Sequence, residues 1–261
     1  MRDRHITYRV AVALLVIDDF TDKIVSGAAL QVRATGLPDK PIRKRDGHFV
    51  FTEGKSAISQ IEIESPIYHK AVVKLEPDGL ETGRPVLKVR LQPNRHYAAP
   101  GGATYLEGLA PPEREIRVIP ETRQHLLRLL YDYDRAGEDK GREIRLYHAD
   151  KKDLAGKRLA VFAKERQEPE LFQVVEMRDR EQGVCQLAAA LSQAYKKAGT
   201  AIYPVYATNA GPTGEYFLYL PGLGGKETCS CRVQCAGAGA GAGITRQVEL
   251  NPGQGNRLDF T

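Results

Sequence analysis

No stretch of this 261-residue chain is apolar for long enough to cross a bilayer as a helix. The run Val10 to Ile17 stops at Asp18-Asp19, well short of the ~20 residues that a span needs. Arg2 and Arg4 precede that run as they would in a secretion signal. Two acids follow it where a signal would carry a small-residue cleavage site, so it reads as a strand. Cytoplasmic synthesis is the expectation, and release in a particle on lysis is compatible with it. Charge of one sign is also lacking. The formal net charge is only +5, with basic residues scattered among acids, which argues against a nucleic-acid footprint.

The fingerprints of common chemistry are missing too. The chain has no G-x-S-x-G elbow, no H-E-x-x-H helix, no P-loop and no dinucleotide-binding glycine pattern. Six histidines (His5, His48, His69, His96, His125, His148) are spread with no pair at ligand spacing. No catalytic residue and no cofactor is expected, and the chain reads as a non-enzyme. Cysteines number four: Cys185, Cys229, Cys231 and Cys235. Clustered thiolates are zinc candidates. The C-x-C-x3-C spacing is not a paired knuckle, however, and the last three share one strand parity, so reduced, half-buried strand cysteines are the competing reading. Asp132, Asp134, Asp150 and Asp153 are candidate ligands for a hard cation, against the plainer reading of solvated turn formers with Lys151-Lys152 nearby.

What the chain does contain is strand and turn. Asp46-Gly47-His48-Phe49-Val50-Phe51 and Thr213-Gly214-Glu215-Tyr216-Phe217-Leu218-Tyr219 each launch an aromatic strand from a turn glycine. Up to residue 95, about seven short strands with turns between them predict a β-sandwich. Ala98-Ala99-Pro100-Gly101-Gly102 marks a linker, and a boundary is expected near residue 96. Beyond it, residues 103–110 and 200–261 are predicted to form a second sandwich, interrupted by a β-rich insert over 111–199. Leu187 to Lys197 is the one predicted helix. Leu187, Leu191 and Ala194 form its apolar stripe, Ala188-Ala189-Ala190 favour helix, and Gly199 follows.

Residues Thr213 to Leu223, Cys231-Arg232-Val233, Val248 to Gly253 and Leu258-Asp259-Phe260 together resemble the second half of a carboxypeptidase regulatory-like (transthyretin-like) domain. Val16 to Thr21, Ser26 to Val32, Gly47 to Phe51 and Val86 to Pro93 resemble the first half and its completion. The resemblance implies an all-β protein of two transthyretin-like or immunoglobulin-like sandwiches. It also implies a non-catalytic spacer or assembly role, with a structural component of a phage-tail-like contractile injection particle as the specific suggestion. Expected partners are protein subunits, either copies of the chain or neighbours, with no nucleic acid and no membrane span. A carbohydrate-, peptide- or ion-binding accessory module is the other reading.

Candidate interface residues follow from the same reasoning. Tyr203, Tyr206, Tyr216 and Tyr219 suit an interface or a core equally, being apolar bodies with one polar end. Arg43, Lys44 and Arg45 sit at an expected hairpin tip and suit an acidic partner or simply a wet surface. Ala238 and Ala240 lie in the Ala/Gly alternation of residues 236–243, which reads as a loop or a closely packed edge.

Overall fold

A computed structural model of the chain describes residues 10–25, 29–35, 40–52, 59–75, 86–136, 141–148, 152–163, 168–224, 227–237 and 243–260. They are all-β, and the chain divides into two compact units, Met1–Tyr97 and Ala98–Thr261.

Unit 1 contains β1 (Val10–Asp18), β2 (Gln31–Thr35), β3 (Ile42–Arg43), β4 (His48–Thr52), β5 (Gln60–Glu64), β6 (Ala71–Lys74) and β7 (Val86–Leu91). One sheet has the order β3-β4-β1-β7 and the other β2-β5-β6. Strand β1 lies between β4 and β7, and beyond Val10 the residues on both of its faces are buried or half-buried, which is why it reads as an almost unbroken apolar run. By contrast, β2 alternates strictly between buried and exposed and β5 between buried and half-buried. Val12, Leu14, Val16, Phe49 and Phe51 from the first sheet share a buried cluster with Val32, Ile61 and Ile63 from the second.

Unit 2 opens with β8 (Tyr105–Leu109) and β9 (Glu115–Pro120). It ends with β16 (Tyr206–Asn209), β17 (Glu215–Tyr219), β18 (Cys229–Cys235), β19 (Ile244–Leu250) and β20 (Gly255–Arg257). Their sheets are β16-β9-β18-β19 and β17-β8-β20. These strands repeat the pairings of unit 1. β1 is antiparallel to β4 and parallel to β7, and β8 is antiparallel to β17 and parallel to β20. β2 pairs with β5 and β5 with β6, as β9 pairs with β18 and β18 with β19, all antiparallel. The two glycine-launched aromatic strands, β4 and β17, occupy equivalent places.

The launching glycines are equivalent as well. Gly47 has φ +90° and Gly214 φ +87°. A Cβ on Gly47 would lie 2.5 Å from Ile24 Cγ2, and one on Gly214 2.5 Å from the Ala110 carbonyl oxygen. Each glycine thus abuts the chain leaving the first strand of its unit, where no side chain fits.

Between β9 and β16 lies a separate structure, built from β10 (Arg128–Leu129), β11 (Glu143–Tyr147), β12 (Arg158–Ala163), β13 (Glu170–Asp179), β14 (Val184–Leu187) and β15 (Thr200–Pro204). Its sheet order is β10-β11-β14-β13-β12-β15. Leu127, next to β10, bridges Ile202 of β15 through two backbone bonds, Leu127 N–H to Ile202 O at 2.8 Å and Ile202 N–H to Leu127 O at 3.2 Å. The sheet therefore closes into a small barrel, which removes its free edges. Leu129, Ile144, Leu146, Leu159, Val174, Cys185 and Leu187 fill the interior. Because β9 pairs with β16 and β18, while β15 belongs to the barrel, the interruption runs from about residue 121 to 205 and not over 111–199.

The helix expected over Leu187–Lys197 is not there. Val184–Leu187 is strand β14, and the chain beyond it is irregular, with bends and a turn, up to β15. Leu191 N–H donates to Tyr133 Oη, and Tyr195 exchanges backbone bonds of 2.8 and 3.0 Å with Tyr133. Glu170 holds the Ser192 hydroxyl at 2.7 Å and the Tyr195 hydroxyl at 2.6 Å. Burying Leu191 and Tyr195 in the barrel core outweighs the few tenths of a kcal/mol per residue by which alanine favours a helix.

Candidate functional site

A cleft of about 350 Å³ opens on the barrel surface, lined by residues 131–134 and 143–145. Tyr133 turns inward. Its hydroxyl donates to Gly141 O at 2.5 Å and accepts from Leu191 N–H at 2.9 Å, and burial raises its pKa. Tyr131, two residues earlier, is 64% exposed, and the Arg145 guanidinium lies over its ring at 5.5 Å. Strand alternation puts Glu143, Arg145 and Tyr147 on the outer face of β11 while Ile144 and Leu146 fill the barrel.

The charges of the cleft are largely matched. Glu143 faces Arg145 at 3.6 Å and Arg178 at 3.9 Å. Asp132 accepts from Lys197 N–H at 2.7 Å and pairs with Lys196 Nζ at 3.0 Å; the backbone bond first, then the lysine, holds its pKa below the ordinary carboxylate value. Asp134 accepts Ala136 N–H at 3.0 Å.

The cation reading of the aspartates is not met. Asp132 is engaged with Lys196 and Lys197, and Asp153 with Arg180 at 3.1 Å; Asp150 lies outside the described residues. Among the described residues no three His, Cys, Asp or Glu side chains converge as metal ligands. Cys229, Cys231 and Cys235 share the inward face of β18, and Cys185 lies in the barrel core. Burial raises the pKa of all four thiols, to about 12 for Cys185 and Cys231, so they behave as small hydrophobic side chains.

Of the four tyrosines, Tyr206 and Tyr216 belong to the core shared by the two sheets of unit 2, and the Tyr216 hydroxyl donates to Leu258 O at 2.5 Å. Tyr219 is buried among the rings of Tyr105 and Phe217. Tyr203 is half-buried and packs edge-on against Phe162 where the barrel meets β9. Tyr206 and Tyr216 pack between sheets, whereas Tyr219 is buried by the neighbouring rings of its own sheet. Arg43, Lys44 and Arg45 are exposed at the β3–β4 turn, with Arg43 over the Phe49 ring at 5.5 Å. Ala238 and Ala240 lie outside the described residues, within the connection between the paired strands β18 and β19.

Two features were not legible as sites in the sequence. The first is an apolar outer face on the sheet β3-β4-β1-β7. Pairing aligns Ile42, Val50, Ala13 and Val86 in one row across it; the next row sets Leu15 between His48 and Lys88, with Ile24 near Leu15 at Gly47. Ile42, Ile24 and Val86 are 51%, 46% and 45% exposed. The second is a knot at the end of β1. Buried Asp18 accepts four bonds, from Phe20 N–H, Thr21 N–H and the hydroxyls of Tyr68 and Tyr97. Beside it Asp19 accepts from Gln92 and faces Arg90, whose guanidinium also meets Asp22 at 2.5 Å. Neither could be found from spacing, since both assemble residues tens of positions apart.

No family model matches the chain, and no curated protein or solved structure matches it either. Among the described residues no helix is long and apolar enough to cross a membrane.

Proposed function

We propose that the chain is a non-catalytic assembly protein: two transthyretin-like β-sandwiches, the second interrupted by a closed barrel, that docks to copies of itself or to neighbouring subunits. The repeated strand pairings of the two units support the architecture. The observation that carries the docking role is the outer face of unit 1, where Ile42, Val50, Ala13 and Val86 form an apolar row across the sheet, Ile42, Val86 and nearby Ile24 are exposed, and the basic side chains of Lys88, Lys44 and Arg45 lie beside it. Contiguous apolar surface of this kind is characteristic of interaction sites, whereas single exposed aliphatics are not. A place in a phage-tail-like contractile particle rests on the family resemblance alone.

The test is sedimentation velocity of the chain over a wide concentration range, beside the variant Ile42→Asp/Val86→Asp. Concentration-dependent association that the double variant abolishes is the expected result. A wild-type chain that stays monomeric throughout, or one whose association is unaltered by the two charges, refutes docking of copies through this face.

A ligand-binding role for the barrel is the second reading, favoured by the cleft that exposes Tyr131 among paired charges.

A further inference from the structure

We propose that the barrel cleft is a binding site for a neutral oligosaccharide, with Tyr131 as the stacking platform. The inference is independent of docking through unit 1, because it concerns a different surface and a different class of ligand.

Three properties of the cleft select this class. Its aromatic ring is presented to solvent: Tyr131 is 64% exposed, with the Arg145 guanidinium over the ring at 5.5 Å. A pyranose carries a patch of C–H groups that packs on such a face, and large rigid rings provide contact area at little entropic cost. Next, the polar groups around the ring are of both kinds. Glu143 and Asp134 accept, and Arg145 donates. Each carboxylate has about four lone-pair sites, more than its protein partners fill, and hydroxyls both donate and accept. Finally, most of the charges in the site are already paired. Glu143 is opposed by Arg145 and Arg178, and Asp132 by Lys196, so a cationic or anionic ligand would have to displace an existing ion pair. An uncharged polyol needs to displace only water.

The site extends beyond one sugar. Tyr147 is 53% exposed and stands two residues from Arg145 on the same face of β11. A step of two along a strand is roughly 7 Å, so this second exposed ring lies beyond the cleft lining, further along the strand from the residue that packs on Tyr131. A ligand that touches both rings has at least two linked units.

The experiment is an array of immobilised oligosaccharides with neutral, N-acetylated and acidic members, probed with the full chain. Calorimetry then follows on any member bound. A neutral glycan is expected to bind. Tyr131→Ala should weaken it by about tenfold or more, and Tyr147→Ala by a smaller factor. Tyr131→Phe should retain binding, since the ring face survives, and raising salt from about 0.05 to about 0.5 M should change affinity by less than about twofold. Tyr131 is on the surface, so an unchanged melting curve for Tyr131→Ala separates lost binding from lost folding. Three results overturn the proposal: no glycan bound by the wild-type chain, binding unaffected by Tyr131→Ala, or a cleft that instead takes an oligolysine probe with affinity falling steeply as salt rises. None of these bears on unit 1.

Discussion

Replacing Asp18 with alanine should unlock one end of unit 1. Its carboxylate is buried and binds four donors: Phe20 N–H at 2.8 Å, Thr21 N–H at 3.2 Å, Tyr68 Oη at 3.0 Å and Tyr97 Oη at 2.5 Å. The losses differ in kind. Phe20 and Thr21 are half-buried, so water replaces their partner at modest cost, about 1 kcal/mol together. Tyr68 is 5% exposed and has no such rescue; a buried hydroxyl left without an acceptor costs about 1–3 kcal/mol. The sum is about 3 kcal/mol. For a unit of this size each kcal/mol moves the melting temperature by about 4–8 °C, which predicts a fall of roughly 12–24 °C for unit 1. Asp18→Asn keeps one oxygen for the two backbone donors and asks the tyrosine hydroxyls only to turn and accept, so its loss should be about 1 kcal/mol. The double variant Asp18→Ala/Tyr68→Phe should be less destabilised than the sum of its singles, because no hydroxyl is then stranded. Calorimetry of the full chain, with hydrogen exchange on peptides from residues 10–97 to assign the transition, measures each term. A loss below about 0.5 kcal/mol for Asp18→Ala, or equal losses for alanine and asparagine, would refute the reasoning.

Three further outcomes are expected. Joining Pro120 to Tyr206 through Asn-Gly, with residues 121–205 removed, should leave the remaining strands of unit 2 folded, because β9 already pairs with β16 at Val118 and Tyr206; loss of the amide signals of β17 and β18 would show that the barrel is required. Gly214→Ala should cost about 2 kcal/mol or more in denaturant midpoint analysis, since φ is +87° and the new Cβ meets the Ala110 carbonyl. Gly211→Ala, whose nearest neighbour is 3.6 Å away, should be close to neutral, and equal effects would contradict the turn argument. His125 joins the Thr122 hydroxyl at 2.8 Å and Pro221 O at 3.2 Å, and burial is the main cause that moves its pKa below the ordinary 6.5. The unfolded chain then binds the proton more readily, so this contribution to stability is complete above about pH 6.5 and is lost as pH falls from there through the lower folded value. His125→Gln should flatten the dependence of unfolding free energy on pH in that window, and an unchanged slope would exclude the residue as its source.

Strand locations were legible where one face of a strand is buried and the other wet. The alternation of β5 and β18 and the turn glycines 47 and 214 are local signals, read within a few residues. The acidic turn after β1 was legible as a turn but not as a knot, because its tyrosines come from positions 68 and 97. The cleft is not a local feature either: Tyr131 and Arg145 meet only because antiparallel pairing of β10 with β11 brings their segments together.

By itself the sequence determined that the chain is rich in strands, where several of them begin, and which of their side chains share a face, because side-chain alternation and positive-φ turns are properties of neighbouring residues. Only the tertiary structure decided that the interrupting segment closes into a barrel, that Leu191 and Tyr195 lie in irregular chain and not in a helix, and that Tyr206 and Tyr216 are core. Those outcomes depend on which distant strands share backbone hydrogen bonds and bury one another's apolar faces, and that free energy exceeds the local preferences a short window of sequence can express.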